Sequence, residues 1–232
     1  MMKKIFISGA HSGIGRHLTN EFLKKDYHVI SADINRIISN SSQHTTYQLD
    51  LTKEKEVDQM FNDIKTIDYA VNCAGVSAHR DSLHHINLNT FLDEIKPNIS
   101  MFFNCLKNEI CIMRNQNKGK IINISSISAH RGMKNMACYS SSKAVISNLT
   151  KVSAIENYDY NIHINSISPA TIDTPFIRRK NKGIRDYSDI FYTKDVGKTA
   201  DIFSAVQFFI TQNFMTGHDL TIDGGLTDLL VI

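Results

Sequence analysis

The sequence has no run of about 18 apolar residues, which is the length that a membrane-spanning helix needs. It also carries little excess charge, because 26 Lys and Arg against 23 Asp and Glu leave a net charge of +3. So small an excess provides no basic field of the kind that nucleic-acid-binding proteins use. We therefore expect neither a membrane nor a nucleic acid among the partners of this chain.

Cysteine is scarce as well, and the four residues show neither the density of a disulfide framework nor the spacing of a metal site. They are Cys73, Cys105, Cys111 and Cys138. The ten histidines form no ligand pattern either, so no metal is expected. The apolar run 5–7 that follows a basic start is too short for the core of a signal peptide. These features favour a cytoplasmic protein with reduced thiols.

Short apolar runs alternate with stretches of helical periodicity along the chain. The pattern predicts strands over 3–8, 27–32, 45–49, 67–71, 120–124, 162–167 and 220–222. It predicts helices over 13–25, 53–64, 99–115, 137–157 and 196–210. Alternation of this kind is typical of a parallel sheet covered by helices on both faces. Since no linker or repeat interrupts it, we expect residues 1–232 to form a single α/β domain of the doubly wound, Rossmann-like class.

A glycine-rich turn joins the first predicted strand to the first predicted helix, with the sequence Ser8-Gly9-Ala10-His11-Ser12-Gly13-Ile14-Gly15. Glycines at such a place permit a tight turn and let backbone amides approach a pyrophosphate at the helix N-terminus. A plain connection between strand and helix is the alternative.

Asp33 ends the second predicted strand, 18 residues after Gly15. An acidic residue near this distance accepts hydrogen bonds from the ribose hydroxyls of a dinucleotide and repels a 2′-phosphate. The position favours NAD over NADP. Arg36 is a counter-signal, since a basic side chain nearby could bind that phosphate, and a strand-end turn is the structural alternative.

The spacing of the glycines, G-x-x-x-G-x-G, resembles that of the short-chain dehydrogenase/reductase family. Asn72-Cys73-Ala74-Gly75 is similar to the N-A-G motif of that family, and residues 139–143 match its Y-x-x-x-K. Ser126 precedes Tyr139 by 13 residues. Residues 168–174 resemble its P-G-x-x-x-T segment, with Ala170 in place of the glycine. The resemblance covers essentially the whole chain and implies a Rossmann-like fold that binds both cofactor and substrate.

Four residues match the catalytic positions of the family. Tyr139 and Lys143 lie four residues apart on a predicted helix and so share a face, and a nearby ammonium is expected to lower the pKa of the tyrosine. The resemblance implies that Tyr139 exchanges a proton with the substrate oxygen and that Lys143 also holds the nicotinamide ribose. It implies that Ser126 binds the same oxygen. Asn98 is expected to hold a water that relays protons to Lys143.

The resemblance also implies which residues contact the cofactor. Asp50-Leu51 is similar to a pair that contacts adenine in the family, although capping of the next helix is an alternative for Asp50. The full set is Gly9, His11, Ser12, Gly13, Ile14, Gly15, Asp33, Asp50, Leu51, Asn72, Ala74, Gly75, Tyr139, Lys143, Pro169, Ala170, Ile172 and Thr174.

The function expected is that of an NAD(H)-dependent oxidoreductase that interconverts a secondary alcohol and a ketone. One alternative is an NADPH-dependent 3-ketoacyl reductase, against which Asp33 counts. Another is a catalytically silent dinucleotide-binding regulator, against which the intact Ser126, Tyr139 and Lys143 count. Members of the family are often homo-oligomers, so a tetramer or a dimer is expected, built on the long helices over 99–115 and 137–157.

Two further segments bear on the substrate and on assembly. Residues 175–192 occupy the place of the substrate lid of the family. They contain five basic and two acidic residues, which suggests an anionic substrate; a solvated loop is the alternative.

The apolar ending 229–232 is expected to pack into a subunit interface. Loop residues that could line the substrate cavity are His79, Arg80, Ser128, His130 and Met133.

Overall fold

The computed structural model of the chain describes residues 2–175, 177 and 191–228. Within these ranges seven strands form one sheet in the order β3-β2-β1-β4-β5-β6-β7, and every neighbouring pair is parallel. The strands are β1 (Lys4–Ser8), β2 (His28–Asp33), β3 (His44–Gln48), β4 (Tyr69–Asn72), β5 (Gly119–Ile124), β6 (Ile162–Pro169) and β7 (Asp219–Ile222).

Helices cover the sheet on both faces. Those with bounds in the described residues are α1 (Gly13–Lys24), α2 (Glu54–Asp63), α3 (Leu88–Gln116), α4 (Ala137–Asn157) and α5 (Thr199–Thr211). Two apolar clusters separate these layers, one shared by α1 and α5 and the other by α2, α3 and α4. The sequence forms two layers because strand side chains alternate between the faces.

Strand β1 shows this alternation directly. Ile5 and Ile7 belong to the cluster under α1 and α5, whereas Phe6 belongs to the cluster under α2 and α3, and all three are fully buried. Burying an apolar side chain of this size stabilises the fold by about 1.5–3 kcal/mol. A strand that is apolar on both faces can lie only in the middle of such a sheet, which is where β1 is found.

The strand order reverses at β1, because β2 lies on one side of it and β4 on the other. The connections that follow β1 and β4 therefore leave the sheet in opposite directions. They open a crevice beyond the carboxyl ends of these two strands, where α/β proteins of this class bind ligands. The doubly wound, Rossmann-like fold predicted from the sequence is confirmed.

The start of α3 is the main error of the sequence-based prediction, which began this helix at residue 99 instead of Leu88. The helix continues through Pro97, although an internal proline removes one backbone bond and costs about 3 kcal/mol. Asn87 caps the extended start by accepting a bond from the amide of Thr90 at 2.9 Å. The first turns do carry apolar residues at helical spacing, but Leu88 and Leu92 among them are exposed, and Pro97 interrupts the pattern before the rest of the helix.

The other element boundaries agree with the prediction to within three residues. The largest of these differences is at α5, where the Asp201 carboxylate accepts a bond from the amide of Lys198 at 2.7 Å and sets the start of the helix at Thr199. No helix in the described ranges is long and apolar enough to cross a membrane. Most of the expected lid at 175–192 and all of the apolar ending 229–232 lie outside the described residues.

Candidate active site

The glycine-rich turn connects β1 to α1 in a conformation that only glycine allows at two positions. Gly9 has a φ of +68°, and a Cβ atom on it would lie 2.7 Å from the Cα of Ala74. A Cβ atom on Gly15 would lie 2.3 Å from the carbonyl oxygen of Gly9. Ser12 precedes α1 and its side chain makes no capping bond. The first amides of α1 are therefore available to a phosphate, as a dinucleotide site requires.

Asp33 lies buried at the carboxyl end of β2, beside this turn. Its Oδ2 accepts a bond from the amide of His11 at 3.0 Å, and its Oδ1 accepts one from the amide of Asn35 at 2.8 Å. These bonds fix the carboxylate at the crevice. Arg36 contacts the turn through its backbone, since its carbonyl oxygen lies 3.1 Å from Nδ1 of His11. Its side chain is exposed to solvent.

The segment after β6 packs against the start of α1, as the motif comparison implied. Pro169 ends β6, and Ala170 donates its amide to the carbonyl of Ile222 at 2.9 Å. Ile172 and Thr174 are buried. The side chain of Thr174 lies beside Gly13: a Cβ atom on Gly13 would be 3.5 Å from this side chain. The segment therefore borders the same crevice as the glycine-rich turn.

Asp50 and Leu51 follow β3 and make contacts within the fold. The Asp50 carboxylate accepts bonds from the amide and the hydroxyl of Thr52 at 2.9 and 2.7 Å. The carbonyl of Leu51 accepts a bond from the side chain of Asn104 at 3.0 Å. Asp50 therefore binds within its own turn and does not cap α2, whose N-cap residue is Lys53, and its contact with adenine stays a prediction.

Ser126, Tyr139 and Lys143 come together at the carboxyl edge of the sheet. Ser126 follows β5, and the other two lie one turn apart on α4. The amino group of Lys143 lies 5.8 Å from the centre of the Tyr139 ring and donates to the carbonyl of Ile124 at 2.9 Å. The Ser126 hydroxyl lies close enough to Tyr139 to act against the rise in the pKa of the tyrosine. The three residues thus form one cluster beside the crevice, as the motif spacing predicted.

The electrostatics of this cluster differ from the expectation that Lys143 would lower the pKa of Tyr139. Burial raises the pKa of Tyr139 above its ordinary value, although the neighbouring Ser126 hydroxyl and the charge of Arg80 oppose the rise. Burial also lowers the pKa of Lys143 to about 8. A low-dielectric environment favours the neutral form of each group, and the pKa of neither is shifted by the other.

Asn98 is buried on α3 and holds the chain just beyond the N-A-G motif. Its Oδ1 accepts the amide of Val76 at 2.9 Å, and its Nδ2 donates to the carbonyl of Val76 at 3.1 Å. A Cβ atom on Gly75 would lie 3.4 Å from the Asn98 oxygen and 3.7 Å from the Lys143 nitrogen. Asn98 is therefore close to the catalytic cluster, and its relay through a water stays a prediction.

Comparison with known proteins agrees with this arrangement. The family model described as enoyl-(acyl carrier protein) reductase matches residues 9–227. Dehydrogenase/reductase SDR family member 6 of Xenopus laevis is 30% identical over 245 residues, which cover 96% of this chain and 96% of that protein. The chain belongs to the short-chain dehydrogenase/reductase family.

Solved structures of similar proteins contain nicotinamide cofactors. ElxO with NADP bound has a TM-score of 0.91 and 32% identity, and the match covers 99% of this chain and 100% of that one. A 4-hydroxyisoleucine dehydrogenase complexed with NADH has a TM-score of 0.84 and 31% identity, with 97% and 98% covered. This chain is thus an oxidoreductase of the short-chain dehydrogenase/reductase family that uses a nicotinamide dinucleotide.

Sequence reasoning about this family member missed how Ser126 is oriented. Its Oγ accepts bonds from the amide and the hydroxyl of Ser128, at 3.2 and 2.9 Å. With its lone pairs occupied, the Ser126 hydroxyl keeps its proton free to donate. The structure gives Ser128 this orienting contact, and its place in the substrate cavity stays a prediction.

Asn72 of the N-A-G motif organises a buried polar network. Its Nδ2 donates to Glu109 Oε2 at 2.9 Å and to Asn123 Oδ1 at 3.0 Å, while its Oδ1 faces the Ser8 hydroxyl at 3.4 Å. The network joins α3 to the ends of β1, β4 and β5. The same Ser8 hydroxyl accepts the amides of the two residues after Asn72, at 3.1 and 3.2 Å, and so fixes the turn that follows β4.

Glu109 is a fully buried carboxyl group that the motif comparison did not identify. Its Oε1 has no hydrogen-bond partner, and burial raises its pKa to about 8, against the effect of the Asn72 bond. The group therefore holds a proton at neutral pH. A signal was present in the sequence, because Cys105, Glu109 and Met113 recur every four residues on the apolar face of α3.

This protonation predicts a pH-dependent effect of Glu109→Gln. Between the ordinary pKa of 4.5 and about 8 the native state binds a proton that the unfolded state has lost, so the wild-type free energy of unfolding falls as pH rises through this range. Glutamine has no proton to lose and can still accept from Asn72. The variant should be more stable than wild type at pH 8 and about equally stable near pH 4.5, measured by urea unfolding.

The matched control is Glu156→Gln, at an exposed position on α4, which should change stability little at either pH. A Glu109→Gln protein that is less stable than wild type at both pH values would show that the carboxyl group is ionised in the native state.

Proposed function

We propose that the protein is an NAD(H)-dependent oxidoreductase that interconverts a secondary alcohol and a ketone, with Tyr139 as the proton donor and acceptor. The observation that supports this most is the convergence of Ser126, Tyr139 and Lys143 at the carboxyl edge of the sheet. Ser126 follows β5 and the other two lie on α4, so that the cluster borders the same crevice as the glycine-rich turn.

The residues around the crevice fit a nicotinamide dinucleotide. Gly9 lets the first turn lie directly against Ala74, and the start of α1 offers backbone amides for a pyrophosphate. When bound, the cofactor supplies or accepts the hydride at the substrate carbon. The chain itself supplies the binding site, the orientation and the proton.

The proton chemistry follows from the contacts of the cluster. The Ser126 hydroxyl, whose oxygen is occupied by Ser128, donates to the substrate oxygen and stabilises charge that develops there. Tyr139 gives its proton to that oxygen during reduction and takes one from it during oxidation. Lys143 has a pKa of about 8, so it gains or loses a proton near neutral pH and replenishes the tyrosine.

Preference for NAD is proposed from the position of Asp33. Similar structures hold NADP in one case and NADH in another, so the fold admits either cofactor. In this chain the Asp33 carboxylate is fixed by the amides of His11 and Asn35 at the end of β2. A carboxylate there accepts the ribose hydroxyls and repels a phosphate on the 2′ position.

Replacing Tyr139 by phenylalanine tests the catalytic assignment. The change removes the hydroxyl and keeps the ring, so turnover should fall by a factor of about 10² to 10⁴, the usual contribution of general acid–base catalysis. NADH binding, followed by fluorescence, should be retained. A variant that keeps most of its turnover would exclude Tyr139 as the proton donor. Tyr158→Phe, at an exposed position after α4, is the matched control.

Asp33→Asn tests the cofactor preference while leaving an oxygen that can accept from His11. Two like charges about 4 Å apart repel by about 1–4 kcal/mol between water and a protein surface. Removing the charge should therefore lower the ratio of kcat/KM for NAD over NADP by at least about fivefold. Arg36→Gln should move the ratio in the opposite direction or not at all. Wild-type protein that prefers NADP would overturn the proposal.

Two other functions are distinguished by one assay of cofactor oxidation and reduction over a panel of alcohols and ketones. An NADPH-dependent 3-ketoacyl reductase would act on acyl thioesters with NADPH. A silent dinucleotide-binding regulator would bind the cofactor and turn over none of the panel. The intact Ser126, Tyr139 and Lys143 favour an active enzyme, and the free thiols of the described residues suit the cytoplasm.

We also propose that copies of the chain assemble into dimers or tetramers through α3 and α4. These helices expose the apolar side chains Phe103, Val152 and Ile155, of which Ile155 is 72% exposed. Ile155→Asp should lower the mass measured by static light scattering. Ile38→Asp, at an exposed position between β2 and β3, should leave it unchanged. A wild-type mass equal to one chain, 26.2 kDa, would contradict assembly.

A further inference from the structure

The connection between β4 and α3, residues 73–87, lies at the carboxyl edge of the sheet, above the catalytic cluster. It is tied to α3 at two places. Asn98 holds its beginning, and farther along the amide of His79 donates to the Glu94 carboxylate at 2.6 Å. Arg80 follows directly, so its backbone is fixed next to a point of attachment.

The other side of Arg80 is attached to the loop that follows β5. The hydroxyl of Ser82 donates to the side-chain oxygen of Asn135 at 3.2 Å. This loop begins with Ser126 and ends where α4 brings in Tyr139. Two connections, which contain only the short 3-10 helices Leu83–His85 and Ile127–Ala129, are thereby joined beside the site, and Arg80 lies between the two points of attachment on its own connection.

The guanidinium group of Arg80 is available for a ligand. The side chain is exposed, and it makes no hydrogen bond or ion pair within the part of the chain that the structure describes. The nearby carboxylates have other partners: Asp81 accepts from His85 and from the amide of Ser82, and Glu94 accepts from His79. The charge of Arg80 nevertheless reaches the Tyr139 hydroxyl and opposes the rise in its pKa.

Apolar side chains lie on the same two loops. Val76, Leu83 and Met133 are 44%, 68% and 39% exposed, although side chains of this type are usually covered. Together with one unpaired guanidinium, such side chains suit a ligand with a short hydrocarbon body and an anionic group at its end.

We propose that Arg80 binds the carboxylate of the substrate, and that the substrate is an aliphatic oxo acid or its hydroxy acid whose reacting oxygen lies at Tyr139. This inference rests on the proposed function, since it names the substrate class of the same site. An arginine offers two parallel donors to a carboxylate and so fixes the direction of the substrate as well as its position. The attachments on both sides of Arg80 fix its backbone, which limits the entropy lost on binding.

The experiment compares acids with their neutral esters. Wild-type protein is assayed with NADH against straight-chain oxo acids of three to eight carbons and with the methyl ester of each. The acids should have the lower KM, and added salt should raise KM for the acids alone, because exposed charges are screened. Arg80→Met should raise KM for the best acid by at least about tenfold, as expected for a hydrogen bond to a charged group. KM for its ester should not change.

Two more variants complete the design. Arg80→Lys should recover part of the loss, since it restores the charge without the paired donors. Lys65→Met removes an exposed charge from the opposite edge of the sheet, before β4, and should leave both KM values unchanged. Arg80→Met should also shift the rise of hydroxy-acid oxidation with pH to higher pH, because a positive charge near Tyr139 is lost.

Each outcome has one meaning. Equal loss for acid and ester in Arg80→Met, or a wild-type preference for the esters, would overturn the carboxylate site. If neither these acids and esters nor the broader panel of alcohols and ketones is turned over, the proposed function fails on its own; turnover of other ketones alone overturns the substrate class. Calorimetric titration of the NADH-bound protein with levulinate then decides about Arg80: binding that Arg80→Met abolishes supports the site, and binding of equal strength in both proteins, or in neither, overturns it.

Discussion

Asn72 donates both hydrogens of its side-chain amide inside the protein, one to Glu109 on α3 and one to Asn123 on β5. Its oxygen must then face Ser8, whose hydroxyl in turn accepts the amides that follow β4. These bonds determine how the ends of the three central strands lie relative to one another. Because they are buried, a broken bond would leave an unpaired polar group at a cost of about 1–3 kcal/mol.

The position of the catalytic cluster depends on this arrangement. Gly9 approaches Ala74 so closely that no side chain fits between the first turn and the turn after β4. A Cβ atom on Gly75 would lie in contact with both Asn98 and Lys143. A shift of β4 against β1 would therefore disturb the crevice and the cluster together. The buried network keeps them in one geometry in the absence of any ligand.

Burial sets the chemistry of the cluster more than the charges do. Tyr139 and Lys143 both favour their neutral forms, which for Lys143 means a pKa of about 8. Tyr139 and Lys143 can therefore exchange protons near neutral pH, because neither forms an ion pair that would hold it in its charged form. The charge of Arg80, exposed at the entrance, acts on Tyr139 in the opposite direction to burial. A charge at the entrance of the site thus changes the pKa of a buried tyrosine in its interior.

The sequence by itself determined the strands, the two-layer arrangement and the cluster of Ser126, Tyr139 and Lys143, because periodicity and motif spacing are local properties of the chain. It did not determine the start of α3, since capping by Asn87 and packing outweigh the penalty of Pro97. Nor did it determine that Glu109 is protonated, that Ser128 orients Ser126, or that burial raises the pKa of Tyr139. Each of these depends on groups distant in the chain meeting in a low-dielectric interior, and only the tertiary structure decides which groups meet.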